Sequence, residues 1–317
     1  MNLSCWTLTT GEIGMRNQAE GLAQRLGFKD YTAQTVTAPD WLSLVPPGLM
    51  GQLSRFIRLN GQPLSTPFPS VAISCGRRSI PAMLALKQHS PTTKILHVQN
   101  SKNATRFFDA VVVPQHDGLT GDNVFSSFGA IHHLTIETIN AAAPVFASVW
   151  DGLPRPWLGV LVGGKSPHNT FTEADAERLG KSLAAFQQQH GGSLLVTPSR
   201  RTGAAQTAAL QRALMGTSHW LWTEQTANPY HALLALSDAV LVTSDSISML
   251  TEAVTSEKPL YYYDMSIQKP RIVDFLSQLR TRGYYRIFDE TVPLESWSYP
   301  PLDETGRIAA ALRQKLF

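Results

Sequence analysis

Short apolar runs recur along the chain, each followed by a turn-rich stretch and then by a longer segment of helical period. The runs are Leu3–Thr9, Val71–Cys75, Lys94–Val98, Asp109–Val113, Trp157–Val162, Ser193–Thr197, Ala239–Thr243 and Pro259–Tyr263. They are rich in β-branched residues and apolar at odd and even positions alike, which predicts parallel strands covered on both faces. After Gly14, apolar residues fall at Ala19, Leu22, Ala23 and Leu26, the spacing of one helix face. Over 172–190 the same spacing returns in Leu179, Leu183 and Phe186, with Thr172 as N-cap and Glu173 and Asp175 in the first turn. Strands alternating with helices predict an α/β fold.

Between about Asn140 and Trp157 the pattern breaks, at Ala141-Ala142-Ala143-Pro144 and again at Asp151-Gly152-Leu153-Pro154-Arg155-Pro156. Proline and glycine punctuate a chain in this way at linkers. The expected organisation is therefore two α/β domains, over 1–145 and 155–300, and a C-terminal helix within 301–317 with Ile308, Leu312 and Leu316 on one face. The length of 317 residues agrees with two domains. Hydrophobic residues at 43% and charged residues at 16% mark a globular chain. A formal net charge of +3 gives no reason to expect a nucleic-acid partner. Two cysteines, Cys5 and Cys75, exclude a disulfide framework and a cysteine-built zinc site. The nine histidines are scattered without an HExxH motif, so no metal site is expected. No run approaches the ~18 apolar residues of a membrane span, and the N-terminus shows no basic or apolar leader. A cytoplasmic protein is expected, one that could sit peripherally on the inner membrane.

Four turns carry candidate chemistry because each follows a strand, where open α/β sheets collect ligands. Gly11-Glu12-Ile13-Gly14, with Asn17 and Gln18, links the first strand to the first helix. It is not GxGxxG, and an ordinary β-to-α turn is the plain alternative. Gly163-Gly164-Lys165-Ser166 leaves room for phosphate oxygens beside the main chain and adds a cation, but it does not satisfy the Walker pattern. Thr197-Pro198-Ser199-Arg200-Arg201-Thr202 sets paired guanidinium groups among hydroxyls, a combination suited to a diphosphate. The fourth runs from Asn228-Pro229-Tyr230 through the strand ending at Thr243 to Ser244-Asp245-Ser246-Ile247-Ser248 and Glu252. Its hydroxyls and helix-start N–H groups suit an anion, and a carboxylate one and a half turns later suits ribose hydroxyls. Together the turns describe a site for a nucleotide carrying a pyrophosphate, such as a nucleotide sugar.

The same residues resemble a known family. Asn228-Pro229-Tyr230, Ser237-Asp238-Ala239, Thr243–Met249, Glu252-Ala253, Lys258-Pro259, Ser199–Thr202 and the Gly11, Gly14, Gln18 spacing are similar to the mitochondrial-fission "elongated mitochondria" family, which has bacterial members. The resemblance spans nearly the whole chain. It implies a glycosyltransferase-B-like architecture, two Rossmann-like domains facing across a cleft, with a nucleotide sugar held by the C-terminal one. Thr243–Glu252 is also similar to the donor-binding helix of the peptidoglycan N-acetylglucosaminyltransferase. That implies diphosphate contacts at Ser246, Ile247 and Ser248 and a ribose contact at Glu252. The expected donor site is Gly163, Gly164, Lys165, Ser199, Arg200, Arg201, Asn228, Tyr230, Ser244, Asp245, Ser246, Ile247, Ser248 and Glu252. Gly11, Gly14, Asn17 and Gln18 then lie on the acceptor side.

Two departures bear on catalysis. The paired glutamate of many retaining relatives is replaced, with Asp245 and Pro259 at the two positions seven residues from Glu252. The loop after the first strand has Met15 and no histidine. Glu12 and Asp109 are the carboxylates left as candidate bases. The expected function is a glycosyltransferase that needs no bound cofactor or metal and acts on an unidentified acceptor in envelope or polysaccharide assembly. A lipid-linked acceptor would suit the apolar and basic stretch Trp41–Asn60, whose plainer reading is a loop and helix packed on the first sheet. The alternatives are a non-catalytic partner-binding protein on the same fold and a nucleotide-sugar epimerase.

Overall fold

The computed structural model describes residues 3–165, 170–243, 246–265 and 270–317, the side chains of 270–272 excepted. The chain forms two units: one runs to His133 and takes up Asp303–Phe317 again, and the other is Leu134–Leu302.

In the first unit, strands β1 (Cys5–Thr9), β2 (Tyr31–Thr37), β3 (Arg58–Leu59), β4 (Gln62–Pro63), β5 (Val71–Cys75), β6 (Lys94–Val98), β7 (Ala110–Pro114) and β8 (Val124–Ser127) form one sheet. Among the described residues its order is β4-β3-β2-β1-β5-β6-β7-β8. The pairings from β2 through β8 are parallel, and β3 and β4 add an antiparallel edge. Helices α1 (Ile13–Arg25), α2 (Pro47–Met50) and α3 (Ile80–His89) connect the strands. One face of the sheet packs Val71, Ile73, Leu96 and Val112 against Ala19, Leu22 and Ala23 of α1. The other packs Ala72, Ile95 and Val111 against Met83 and Leu86 of α3 and against Leu42, Met50 and Ile57. Successive strand residues thus go to opposite cores, as their uniform hydrophobicity requires.

The second unit opens with helices α4 (Ile136–Asn140) and α5 (Ala143–Trp150) and then alternates β9 (Trp157–Val162), α6 (Glu173–His190), β10 (Ser193–Pro198), α7 (Ala204–Ala213) and β11 (His219–Leu221). After these come α8 (Tyr230–Leu236), β12 (Ala239–Thr243), α9 (Ile247–Val254), β13 (Leu260–Tyr263), α10 (Pro270–Thr281) and β14 (Arg286–Ile287). The sheet is parallel throughout, in the order β11-β10-β9-β12-β13-β14. Its core joins Leu158, Val160, Leu194, Val196 and Leu241 to Leu179, Leu183 and Phe186 of α6 and to Leu210 of α7. Thr172 and Asp175 form a reciprocal capping box at the start of α6, an arrangement worth about 1 kcal/mol.

The division of the chain differs from the sequence expectation in two places. The boundary falls at His133, not near 145–155. Pro144 lies in the first turn of α5, where its missing N–H costs nothing. Phe146 and Trp150 bury that helix against Trp220 and Trp157 of the second unit (Trp150 ring centroids 5.5 and 6.1 Å away). The C-terminal helix α11 (Glu304–Leu316) is part of the first unit, not a separate element. Its Ile308, Ala309 and Leu312 complete the core on the α1 face. The Glu304 carboxylate accepts from Phe128 N–H at 2.6 Å, and Thr305 Oγ1 accepts from His132 N–H at 3.0 Å.

Candidate functional site

Strand order reverses between β9 and β12: the chain builds outward from β9 toward β10 and β11, then returns to build β12, β13 and β14 on the other side. Loops leaving two such neighbours diverge and open a crevice beyond their carboxyl ends. Here residues 163–165 after β9, the turn after β10 and the last residue of β12 are laced together. Gly163 N–H donates to Thr243 Oγ1 (2.8 Å), Lys165 N–H to Arg201 O (3.0 Å) and Ser199 N–H to Val162 O (2.8 Å). The buried Thr202 hydroxyl donates to Gly163 O and lies 3.2 Å from Val162 O, while Ser199 N–H reaches Thr202 Oγ1 at 2.9 Å.

These bonds change the role of the two glycines. They were expected to expose main chain to phosphate, but the N–H groups of Gly163 and Lys165 are spent on the neighbouring turns. Gly164 is instead required by close approach, since a Cβ there would lie 2.2 Å from the Arg201 carbonyl carbon and oxygen. The pair locks the β9 and β10 turns together and thereby holds the exposed side chains of Lys165, Arg200 and Arg201 on one rim. Arg200 makes no ion pair among the described residues. Ser244 and Asp245, together with Ser166, lie outside the described residues.

Helix α9 starts at the crevice. Ser246 is its N-cap, with extended backbone and a side chain accepting from Met249 N–H at 3.3 Å. Ile247 and Ser248 occupy the first turn and are half-buried. The cap meets one of the orphan N–H groups and leaves others of the first turn for an acceptor. Further along α9, Glu252 accepts from the Tyr230 hydroxyl at 2.7 Å. Tyr230 begins α8, where Asn228 Oδ1 accepts from its N–H at 3.0 Å, so the Asn-Pro-Tyr turn fixes this tyrosine by its own backbone. Burial pushes the Glu252 carboxyl up to about 7, against the opposing effect of the Tyr230 hydrogen bond. Burial and the nearby Glu252 hold Tyr230 well above the usual phenol range, so it stays a donor. The result is a half-buried carboxylate, titrating near neutrality, behind the anion-suited start of α9.

The first sheet has its own reversal, between β1 and β5. The turn after β1 carries Gly11, whose φ of +97° only glycine adopts without strain. Gly14 sits inside α1 with open space where a Cβ would go, so no close approach requires a glycine there. Asn17 and Gln18 lie half-buried on α1, and Gln18 Oε1 is 3.7 Å from Cys75 Sγ.

Neither candidate base has the surroundings of one. Glu12 is exposed, and its carboxyl is held below the usual range by the Thr10 hydroxyl (2.5 Å), a backbone N–H and Arg78. Asp109 precedes β7 and so lies at the amino end of the sheet, opposite the ligand-collecting loops. There its carboxylate takes Lys87 Nζ (3.0 Å), Ile95 N–H (2.8 Å) and Lys94 Nζ (3.8 Å), which makes it a scaffold ion pair and corrects its candidacy as a base. Both thiols are buried and held neutral, Cys5 at about 12 and Cys75 higher still. Among the described residues no group of three or more His, Cys, Asp or Glu could hold a metal ion.

Thr202 and Thr243, which hold the turns together, stand within the motifs read from the sequence but are not among the expected site residues. A hydroxyl at a strand end is common, and only strand order shows which loops it bridges.

Comparison with known proteins follows this geometry. The Mitochondrial fission ELM1 family model matches residues 13–316. Mitochondrial fission protein ELM1 of Arabidopsis thaliana is 28% identical over 294 residues, 84% of this chain and 69% of its own. Uncharacterized protein RP120 of Rickettsia prowazekii (strain Madrid E) is 24% identical over 350 aligned positions, covering 98% of each chain. Among solved structures, the UDP-GlcNAc 2-epimerase of Methanocaldococcus jannaschii superposes with a TM-score of 0.57 at 9% identity, over 98% of this chain and 100% of that one. The Neisseria meningitidis UDP-GlcNAc 2-epimerase, solved bound to UDP-GlcNAc, gives 0.56 at 11% identity over 99% of both. Os79 from O. sativa, solved with a trichothecene, gives 0.54 at 11% over 98% of this chain and 91% of that one. At these identities the likeness is one of fold, and that fold is glycosyltransferase-B-like. With a family model running almost end to end and a two-sheet α/β structure that agrees with it, the chain belongs to the mitochondrial fission ELM1 family.

Proposed function

We propose that the protein is a nucleotide-sugar-dependent glycosyltransferase whose second unit holds the donor. The observation that carries this is the crevice between β9 and β12, where an N-capped helix start, exposed arginines and a half-buried carboxylate converge. In this reading Arg200, Arg201, Lys165 and the N–H groups of the first turn of α9 take the diphosphate. Glu252, with Asn228 and Tyr230 behind it, takes the ribose hydroxyls. Transfer breaks the bond between the anomeric carbon and the β-phosphate oxygen, and negative charge collects on the departing nucleoside diphosphate. Fixed cations and N–H dipoles stabilise that charge, and removing one such donor typically costs about a hundredfold in rate. The acceptor hydroxyl attacks the anomeric carbon, and its proton passes to the departing diphosphate or to water. Gly11, Gly14, Asn17 and Gln18 are assigned to the acceptor side.

A second reading has a specific observation in its favour. Glu12 is an exposed carboxylate of lowered pKa and Asp109 is locked between lysines, so neither is poised as a base. A chain with a built donor site and no base would bind without turnover. Incubation with radiolabelled UDP-GlcNAc, the ligand of one fold neighbour, separates the readings. Label transferred only when membrane extract supplies an acceptor supports the transferase. Label bound but unchanged supports the binding protein. Conversion of the sugar with no acceptor present makes it an epimerase and overturns both.

A further inference from the structure

Between β2 and β3 the chain runs through two short 3-10 turns, Asp40–Leu44 and Gly51–Phe56, on either side of α2. This segment is apolar on both sides. Leu42, Met50 and Ile57 point inward and are buried in the first unit's core. Leu44, Leu49, Trp41 and Phe56 point outward, with 80%, 51%, 45% and 36% of their surface exposed. The inward set anchors the segment, while the outward set leaves much of its apolar surface in solvent. Exposed large apolar groups gathered in one place mark an interaction surface. The Trp41 and Phe56 rings meet edge-on at 5.3 Å, which brings the two ends of the segment together, and Leu44 and Leu49 project from the stretch between them.

Cations surround this patch. The Arg55 guanidinium lies 4.7 Å above the Phe56 ring. Arg77, from the turn after β5, donates to Ser43 O at 3.4 Å, and Arg78 from the same turn pairs with Asp40. Beyond Gly48, whose Cβ position is 3.8 Å from Phe107, stands Arg106, 4.9 Å over that ring. Asp40 and Glu12 are the carboxylates facing these groups, and both lie on Arg78. Arg55, Arg77 and Arg106 make no ion pair among the described residues and form a cationic rim beside the projecting Leu, Trp and Phe side chains. A protein partner would meet such side chains with grooves of its own, whereas an anionic bilayer accepts projecting apolar groups among its acyl chains and cations among its headgroups.

We infer that the segment 40–57, through its exposed Trp41, Leu44, Leu49 and Phe56, docks the first unit on an anionic lipid surface. This stands independently of the nucleotide-sugar reading. The test is co-sedimentation of the full chain with vesicles of phosphatidylcholine alone and of phosphatidylcholine with phosphatidylglycerol. Binding is expected on the anionic vesicles and weaker at high salt. Leu44→Ser/Leu49→Ser is expected to lower partitioning about tenfold or more, and Arg55→Gln/Arg106→Gln to lower it on anionic vesicles only. Leu44 and Leu49 are exposed, so the melting temperature of the first variant should stay unchanged, which separates lost docking from misfolding. Quenching of Trp41 by brominated lipid, lost in Trp41→Phe, would place the patch in the interface. Inorganic phosphate at matched ionic strength should displace the protein no better than chloride; specific displacement would make the site one for free phosphate and overturn the proposal. Failure to sediment with either vesicle, or sedimentation indifferent to the leucine substitutions, would overturn it too and turn attention to an acidic protein partner.

Discussion

Glu252 stands under two opposing influences: burial, which disfavours its charge, and the Tyr230 hydroxyl, which favours it. Burial dominates, and the folded state keeps the proton up to about pH 7, whereas an unfolded chain releases it near ~4.3. Between those values the native protein binds more protons than the unfolded one, so stability falls as pH rises across the window and levels off above it. The full span corresponds to at most about 4 kcal/mol. Glu252→Gln should remove this slope, as urea unfolding of both proteins at acid and mildly alkaline pH would show; an undiminished slope would assign it to another group. Tyr230→Phe should cost about 1 kcal/mol and weaken donor binding, since it removes the group that steadies the carboxylate. The sequence made Glu252 visible through its distance from the helix start, but its partner lies 22 residues earlier on another helix and emerges only from the fold. Asp109 shows the converse. It opens its apolar run, which alone puts it at the amino end of a strand, away from the loops that collect ligands.

At the scale of elements, what the site requires is that three turns and one helix start be held in register. Ser246→Ala deletes the α9 N-cap and should destabilise by about 1 kcal/mol, with a further loss in nucleotide affinity that Asp303→Ala, which deletes the cap of α11 in the first unit, should not share. Gly164→Ala forces a Cβ into the Arg201 backbone and should cost about 1–3 kcal/mol by overpacking; thermal unfolding would measure it. The eight apolar runs were legible because buried parallel strands are apolar on both faces, and each corresponds to an observed strand within a residue or two. β2, by contrast, reads Tyr-Thr-Ala-Gln-Thr-Val-Thr and is mostly uncovered, so its polar positions conceal it. The two-residue strands β3, β4 and β14 are too short to show a period.

On the scale of the whole molecule, each unit has its own core, and the end of the chain belongs to the first. Ile308→Ala or Leu312→Ala should therefore destabilise the first unit by about 2–5 kcal/mol and leave the second intact; hydrogen exchange resolved by segment would show whether the loss stays with residues 1–133 and 303–317. This return of α11 was not legible, because an amphipathic helix at the end of a sequence does not disclose which sheet it covers. The fold class was, because alternation of strand and helix depends on local pattern alone. The candidate carriers of the proposed donor site could be named from the sequence because they follow apolar runs, whereas a base could not be, since that assignment depends on the surroundings of a carboxylate. The central claim is that the second unit binds a nucleotide sugar, and isothermal titration of the full chain with UDP-GlcNAc, other nucleotide sugars and the free nucleoside diphosphates tests it most directly. The account predicts saturable one-site binding of at least one of them, weakened about tenfold or more in Arg200→Ala and in Glu252→Ala. No heat of binding with any of these ligands, or binding that both substitutions leave unchanged, would contradict it.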